Sequence, residues 1–386
     1  MKYDFENPPS RKGTDCYKWD LFGVPHPMWV ADMDFKTAPE IISALRKRVD
    51  HGIYGYAIIP DSWRQAYVDF YLRRYGWDFN AKDVVFSLGV VPILSSSVRA
   101  LTKEGDNVVI MPPVYNIFYN SIYNNNRNAL EVPLVDRDGV YYIDFGQIEA
   151  AFASPKTTLC ILCNPGNPTA RIWSKEELNE LAALARKHHV IILSDEIHGA
   201  VTRPGKKYVP FLADKRNEDI AFAAVSPTKA FNLAGLHTAA LVCPNDEIKT
   251  KVERQLNTDE VAEPNVFSCI AAETAFNEGE AWLDECLRVL FDNRDFATSY
   301  INKEIPGLKA YEGDATYLLW VDCSEVEPDA ALLLKYIETK KGIVFNDGLH
   351  YGQGGQGHFR INLACPKKHL RETLALLKEA IEDYLK

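Results

Sequence analysis

Three side chains of complementary chemistry close three successive apolar runs. Lys229 follows the run 220–225 in Ser226-Pro227-Thr228-Lys229. Asp195 follows the run 190–193 and opens Asp195-Glu196-Ile197-His198. Asn167 lies in Asn164-Pro165-Gly166-Asn167-Pro168-Thr169, directly after the run 158–163. An amine, a carboxylate and an amide at the ends of neighbouring strands are the groups needed to hold pyridoxal 5'-phosphate. The amine condenses with the aldehyde, the carboxylate pairs with the protonated ring nitrogen, and the amide donates to the ring hydroxyl.

Each group has further requirements. Lys229 forms an imine only if neighbouring cations or the phosphate-site environment keep part of it neutral. Asp195, at a strand end, needs a cationic partner once buried; alone, it would also serve as a helix N-cap. Asn167 can contact a substrate carboxylate as well as the ring oxygen, and a turn role before Pro168 is compatible with both. The phosphate calls for backbone donors at a helix start. Ser87-Leu88-Gly89-Val90-Val91-Pro92 offers the main-chain N–H groups of Val90 and Val91, with Pro92 suited to the first helical turn. Ser226 and Thr228 can add hydroxyls. Tyr115 can stack on the ring or serve as a core or rim tyrosine. Arg360 interrupts an apolar strand, His358-Phe359-Arg360-Ile361-Asn362. A buried arginine demands an anionic partner. The α-carboxylate of an amino-acid substrate fits, and so does a structural ion pair.

Positioning these groups takes a sheet. Strands are expected at 84–88, 108–111, 158–163, 190–193, 220–225 and 238–243, alternating with helical stretches. Runs apolar on both faces imply a mostly parallel sheet covered by helices, the α/β class. The best helix is 174–189, with Ser174 and Glu177 as a capping box. A further helix is expected at 39–50, and one long helix across about 270–305. Beyond residue 281 the order becomes helix, strands at 316–321, 343–345 and 359–363, and a last helix at 369–385, which reads as a smaller α+β domain. The expected division is an N-terminal segment (1–45) packing with the small domain, a large cofactor domain (46–280) and a small C-terminal domain (281–386).

Composition narrows the classes. The chain has 386 residues, 47% of them hydrophobic, enough for both cores. Its formal charge of −10 argues against nucleic acid and anionic membrane surfaces as partners. No apolar run reaches the roughly 18 residues of a membrane span, and no signal-peptide core opens the chain, so a cytoplasmic protein is expected. The eight cysteines are scattered through strands and helices and read as reduced. Cys160 and Cys163 form a C-x-x-C within a strand. Residues three apart there point to opposite faces, so they read as core residues and no metal site is expected.

Taken together, N-P-G-N-P-T, D-E-I-H, S-P-T-K and R-I-N resemble the pyridoxal-phosphate enzymes of fold type I, the class I/II aminotransferase superfamily. Trp29-Val30-Ala31-Asp32-Met33-Asp34-Phe35, Tyr54-Gly55-Tyr56 and His198 resemble its MalY/PatB-type C–S lyases more than ordinary aminotransferases. The resemblance implies a large domain with a seven-stranded-type sheet. It implies Lys229 as the imine lysine, Asp195 as the ring-nitrogen partner, Asn167 as the ring-oxygen donor, Tyr115 as the stacking ring and Arg360 as the carboxylate anchor. Tyr56 would reach the phosphate in a neighbouring subunit, which implies a homodimer. His198 stands where many relatives carry a tyrosine bonded to the ring oxygen. The arginine that many aminotransferases carry eight residues after the lysine is His237 here, so phosphate binding falls to backbone donors, Ser226 and Thr228. The implied activity is β-elimination from cystathionine or another cysteine S-conjugate. Transamination uses the same cofactor-binding groups, and a role through contact with a regulatory protein is a third reading.

Overall fold

The computed structural model describes residues 2–386. Its centre is a seven-stranded sheet. The strands are β1 (Val84–Ser87), β2 (Asn107–Ile110), β3 (Asn128–Glu131), β4 (Thr157–Cys163), β5 (Ile191–Asp195), β6 (Ala221–Val225) and β7 (Ala239–Val242). Their spatial order is β1-β7-β6-β5-β4-β2-β3. Only β7 runs against its two neighbours; the other pairings are parallel. The carboxyl ends of β1, β2, β4, β5 and β6 therefore share one edge, where ligands of such sheets bind. Register aligns that edge: Cys163 pairs with Asp195, and Asp195 with Ala224.

Helices cover both faces. Lys175–His188 carries the expected capping box, in which Ser174 Oγ accepts from the Glu177 N–H and Glu177 accepts from the Ser174 N–H. Leu178, Leu181, Ala182 and Ala185 are its buried stripe. Cys160 and Cys163 pack into the apolar layers on opposite faces of the sheet, and burial pushes both thiols up, away from metal or redox work. All eight cysteines are buried free thiols.

A second, four-stranded antiparallel sheet follows: β8 (Lys309–Ala310), β9 (Leu318–Asp322), β10 (Asn346–Asp347) and β11 (His358–Asn362), in the order β8-β9-β11-β10. It has its own core, to which Met28 contributes from the N-terminal segment. His26–Pro27 also pairs in parallel with Ile343–Val344. Among the described residues no helix is long and apolar enough to cross a membrane.

The long helix expected across 270–305 is two helices, Ser268–Glu278 and Glu280–Glu304, divided at Gly279. The cause is tertiary. A Cβ on Gly279 would stand 2.6 Å from the Ala275 carbonyl oxygen and 2.7 Å from the Phe231 ring. Phe231, two residues after Lys229, stacks on Trp282 at this break. Gly279→Ala is expected to cost about 1–3 kcal/mol in a urea melt and to weaken cofactor retention by pushing on the Lys229 turn; an unchanged melt would show that the site accepts the methyl group.

Candidate active site

The shared strand edge opens into a cavity of about 310 Å³ lined by Lys229, Asp195, Asn167, His198, Tyr115, Val90, Val91 and Thr228. These come from the carboxyl end of β5, from the turns that follow β2, β4, β5 and β6, and from the start of the helix that follows β1. Larger clefts exist elsewhere, but none holds this set of groups.

Lys229 sits in the turn after β6, and its Nζ donates to the Ala31 carbonyl oxygen at 2.7 Å. Burial pulls the amine down to about 8; Asp32 and Asp195 oppose the shift and Arg360 adds to it. An amine with that midpoint is part neutral near physiological pH, as a nucleophile and base must be. Asp195 is the last residue of β5 and is buried. One of its oxygens accepts from the Ile197 N–H at 3.1 Å, a local turn bond; a turn and not a helix follows, so the helix N-cap reading of Asp195 does not hold. Burial pushes its carboxyl up to about 7. Among the described residues it has no salt bridge, so a cation arriving in the cavity would favour its ionised form.

Arg360, central in β11, is buried without a carboxylate partner among the described residues, which removes the structural ion pair as its explanation. Nη1 donates to Asn167 Oδ1 at 3.0 Å and Nη2 to the Trp29 carbonyl oxygen at 2.9 Å. The guanidinium lies 5.2 Å from the centre of the Tyr351 ring. Nε is buried and unpartnered. A cation held in place with a donor to spare is ready for a carboxylate. Because Asn167 Oδ1 is committed to Arg360, its amide nitrogen is the group left for a ligand. This pairing joins residues 193 positions apart and was not expected from the sequence.

His198 is buried with Nδ1 unpartnered, and burial pushes its basicity well down, so the ring is neutral. Burial pushes the Tyr115 hydroxyl up to about 12. Val90 and Val91 open the helix Val90–Leu101, so their N–H groups are free of helical partners. Ser226 does not line the cavity. Its hydroxyl donates to the Thr238 carbonyl oxygen at 2.7 Å and lies 2.7 Å from the Thr228 hydroxyl, which places it one layer behind. Thr238 does line the cavity, with a buried, unpartnered hydroxyl. Tyr56 is fully exposed on the segment after the helix Pro39–His51 and takes no part in its own chain's cavity.

Glu196, beside Asp195, faces the other way. Its carboxyl accepts from Ser194, Tyr208 and the Phe211 N–H at 2.8, 3.1 and 2.8 Å, so it fastens the scaffold. The sequence assigns Glu196 no role of its own; the alternation of faces along a strand is the signal that sets it apart from Asp195.

A ring with an aldehyde, a basic nitrogen and a phosphate matches this donor set: an amine, an unpaired buried acid, and helix-start N–H groups with spare hydroxyls. The Aminotransferase class I and II family model matches residues 30–377. Cystathionine beta-lyase PatB of Bacillus subtilis is 38% identical over 385 residues, covering 98% of this chain and 100% of that protein. Protein MalY of Escherichia coli is 30% identical over 387 residues, covering 98% and 99%. The crystal structure of cystalysin from Treponema denticola, which contains a pyridoxal 5'-phosphate cofactor, superposes with a TM-score of 0.96 at 31% identity, covering 99% of this chain and 100% of that one. The chain belongs to the class I and II aminotransferase family.

Proposed function

We propose that this chain is a pyridoxal-phosphate-dependent carbon–sulfur lyase. It cleaves cystathionine or another L-cysteine S-conjugate by α,β-elimination to a thiol and aminoacrylate, which takes up one water to give pyruvate and ammonia. The observation that carries the proposal is the convergence of a part-neutral, half-buried lysine amine and an unpaired buried acid in one cavity, beside a buried guanidinium with no acid of its own among the described residues. The relatives' names support the choice of lyase.

Bound pyridoxal phosphate would supply an electron sink that stabilises a carbanion at the substrate Cα. This chain's residues do the rest. Lys229 would hold the cofactor through Nζ, and the same amine, when free, would take the Cα proton. Asp195 would pair with the ring nitrogen and favour its protonated form. Asn167 donates to the ring oxygen, and neutral His198 stands beside it. Tyr115, which lines the cavity, would supply a ring face to the cofactor. Val90 and Val91 N–H groups and the Thr228 hydroxyl hold the phosphate, with Ser226 fixing Thr228. Arg360 would grip the substrate α-carboxylate, with its unpartnered Nε as the spare donor. The thiolate leaves from Cβ into surroundings that include the apolar side chains of Leu88, Ile197 and Ala234. Among the described residues Lys229 is the one lysine or arginine lining this cavity.

A second copy of this chain supplies Tyr56 to the phosphate. The exposed run of Ile53, Tyr54, Tyr56 and Ile58 supports a homodimer built around that segment. The eight free thiols support a cytoplasmic setting.

Incubation with cystathionine and cofactor, without any added keto acid, tests the function. Pyruvate release is expected. Amino transfer to a keto acid with no pyruvate would overturn the lyase reading in favour of transamination. In the same assay Arg360→Lys is expected to raise KM by on the order of 10–100-fold, the worth of a charged hydrogen bond, with a smaller effect on kcat. An unchanged KM would remove Arg360 from substrate binding.

A further inference from the structure

We propose that residues 29–34 form a strap of backbone acceptors that receives the free amine of Lys229, and that Tyr317 is the positioning residue that holds the strap's central carbonyl. The inference rests on the reading of Lys229 as the reactive amine.

The strap is bonded along its length by side chains of the site. The Trp29 carbonyl accepts from Arg360 Nη2 at 2.9 Å and from Asn346 Nδ2 at 2.6 Å. The Ala31 carbonyl accepts from Lys229 Nζ at 2.7 Å and from the Tyr317 hydroxyl at 3.1 Å. Asn362 Nδ2 donates to the carbonyls of Val30 and Asp32. Asn232, three residues after Lys229, donates to Met33 O at 2.9 Å and accepts from the Met33 N–H at 3.0 Å. The strap's own carboxylates are pinned from the other side. Arg11 binds Asp32 at 2.6 Å and Asp34 at 2.8 Å, and buried Lys18 binds Asp34 at 2.7 Å.

One segment therefore touches both the candidate carboxylate anchor and the candidate base. A buried amine needs an acceptor, and Ala31 O is the one it has. A carbonyl oxygen has two lone pairs. Lys229 uses one and Tyr317 the other. When the amine is engaged elsewhere, Tyr317 keeps this carbonyl bonded and in place. Tyr317 immediately precedes β9, is buried, and sets its ring edge-on to His198 at 6.1 Å. Burial holds its hydroxyl well above the usual phenol range, so it remains a donor.

Sharing has an electrostatic consequence. Two donors compete for one oxygen, so Tyr317 reduces what the carbonyl gives to the Lys229 ammonium. The other charged groups facing that ammonium are Asp32 and Asp195, which favour it, and Arg360, which opposes it. His198 is neutral and the Tyr115 hydroxyl protonated. Removing the Tyr317 hydroxyl leaves the carbonyl wholly to Lys229 and stabilises the ammonium. Removing the Asp32 charge destabilises it. The two variants must move the amine in opposite directions, which a packing role cannot do.

The test uses the full chain cleared of cofactor and mixed with pyridoxal phosphate, with covalent capture followed by absorbance as a function of pH. In capture the neutral amine nitrogen adds to the aldehyde carbon and one water leaves, so the rate tracks the neutral fraction of Lys229. The midpoint is expected to rise by about half to one pH unit in Tyr317→Phe and to fall by a similar amount in Asp32→Asn, the scale of one modest hydrogen bond. Slower capture at every pH with an unmoved midpoint in Tyr317→Phe would overturn the proposal, and so would midpoints that shift in the same direction. Either failure leaves the cofactor reading standing, because capture still occurs. No capture by the unaltered chain at any pH would refute the cofactor reading and the strap with it.

Discussion

Lys229→Ala is expected to release pyruvate from cystathionine more slowly by on the order of 10⁴-fold, the upper range for loss of a general base. The amine holds the cofactor and then takes the Cα proton, and among the described residues no other amine lines the cavity. The loss should therefore appear chiefly in kcat and should not be recovered by excess cofactor. Stability should not fall with it. Burial holds this amine at about 8, below the ordinary lysine value of 10.5, so the folded chain binds its proton more weakly than the unfolded chain does. Below about pH 8 the buried ammonium costs stability, and the cost fades as pH rises toward the ordinary value. The alanine variant lacks that cost. A variant with native pyruvate release would exclude Lys229 from the chemistry.

Asp195→Asn is expected to lower turnover by on the order of 10³-fold, as for loss of one preorganised charge in a dry site. The amide keeps the shape and removes the charge that holds the ring nitrogen protonated. The same change acts oppositely on the cofactor-free chain. Burial raises this carboxyl from 3.8 to about 7, so the folded state binds its proton more tightly than the unfolded state. Stability of the cofactor-free protein therefore falls through this group as pH rises from about 4 to about 7, and no further above that. Asp195→Asn removes the slope. In thermal melts above pH 7 the cofactor-free variant should match or exceed the unaltered chain, while cofactor should stabilise the variant less. Equal stabilisation of both by cofactor would show that Asp195 does not pair with the ring.

The groups visible in the sequence were those that act through unusual side chains at strand ends. Lysine, aspartate and arginine are out of place in apolar runs, so Lys229, Asp195 and Arg360 stood out. The parallel strands then bring the first two to one edge by simple geometry. Edge strand β3 did not stand out, because Asn128–Glu131 is partly exposed and not continuously apolar. The break at Gly279 depends on Phe231, 48 positions away, and a glycine within a helical pattern does not by itself disclose such a partner. Ser226 looked like a phosphate donor, but its hydroxyl is turned to Thr238. The strap was the hardest to foresee. Trp29-Val30-Ala31-Asp32-Met33-Asp34 could be noticed as a motif, but it works through carbonyls, which every residue carries. Only the fold brings Arg360, Lys229, Tyr317, Asn362 and Asn232 to them.

The most direct test of the account is reduction of the cofactor-bound chain with borohydride, followed by peptide mapping. The prediction is a yellow protein that loses its colour on reduction and carries the mass of one reduced cofactor on the peptide containing Lys229, and on no other. A colourless protein, or cofactor mass on a different lysine, would contradict it.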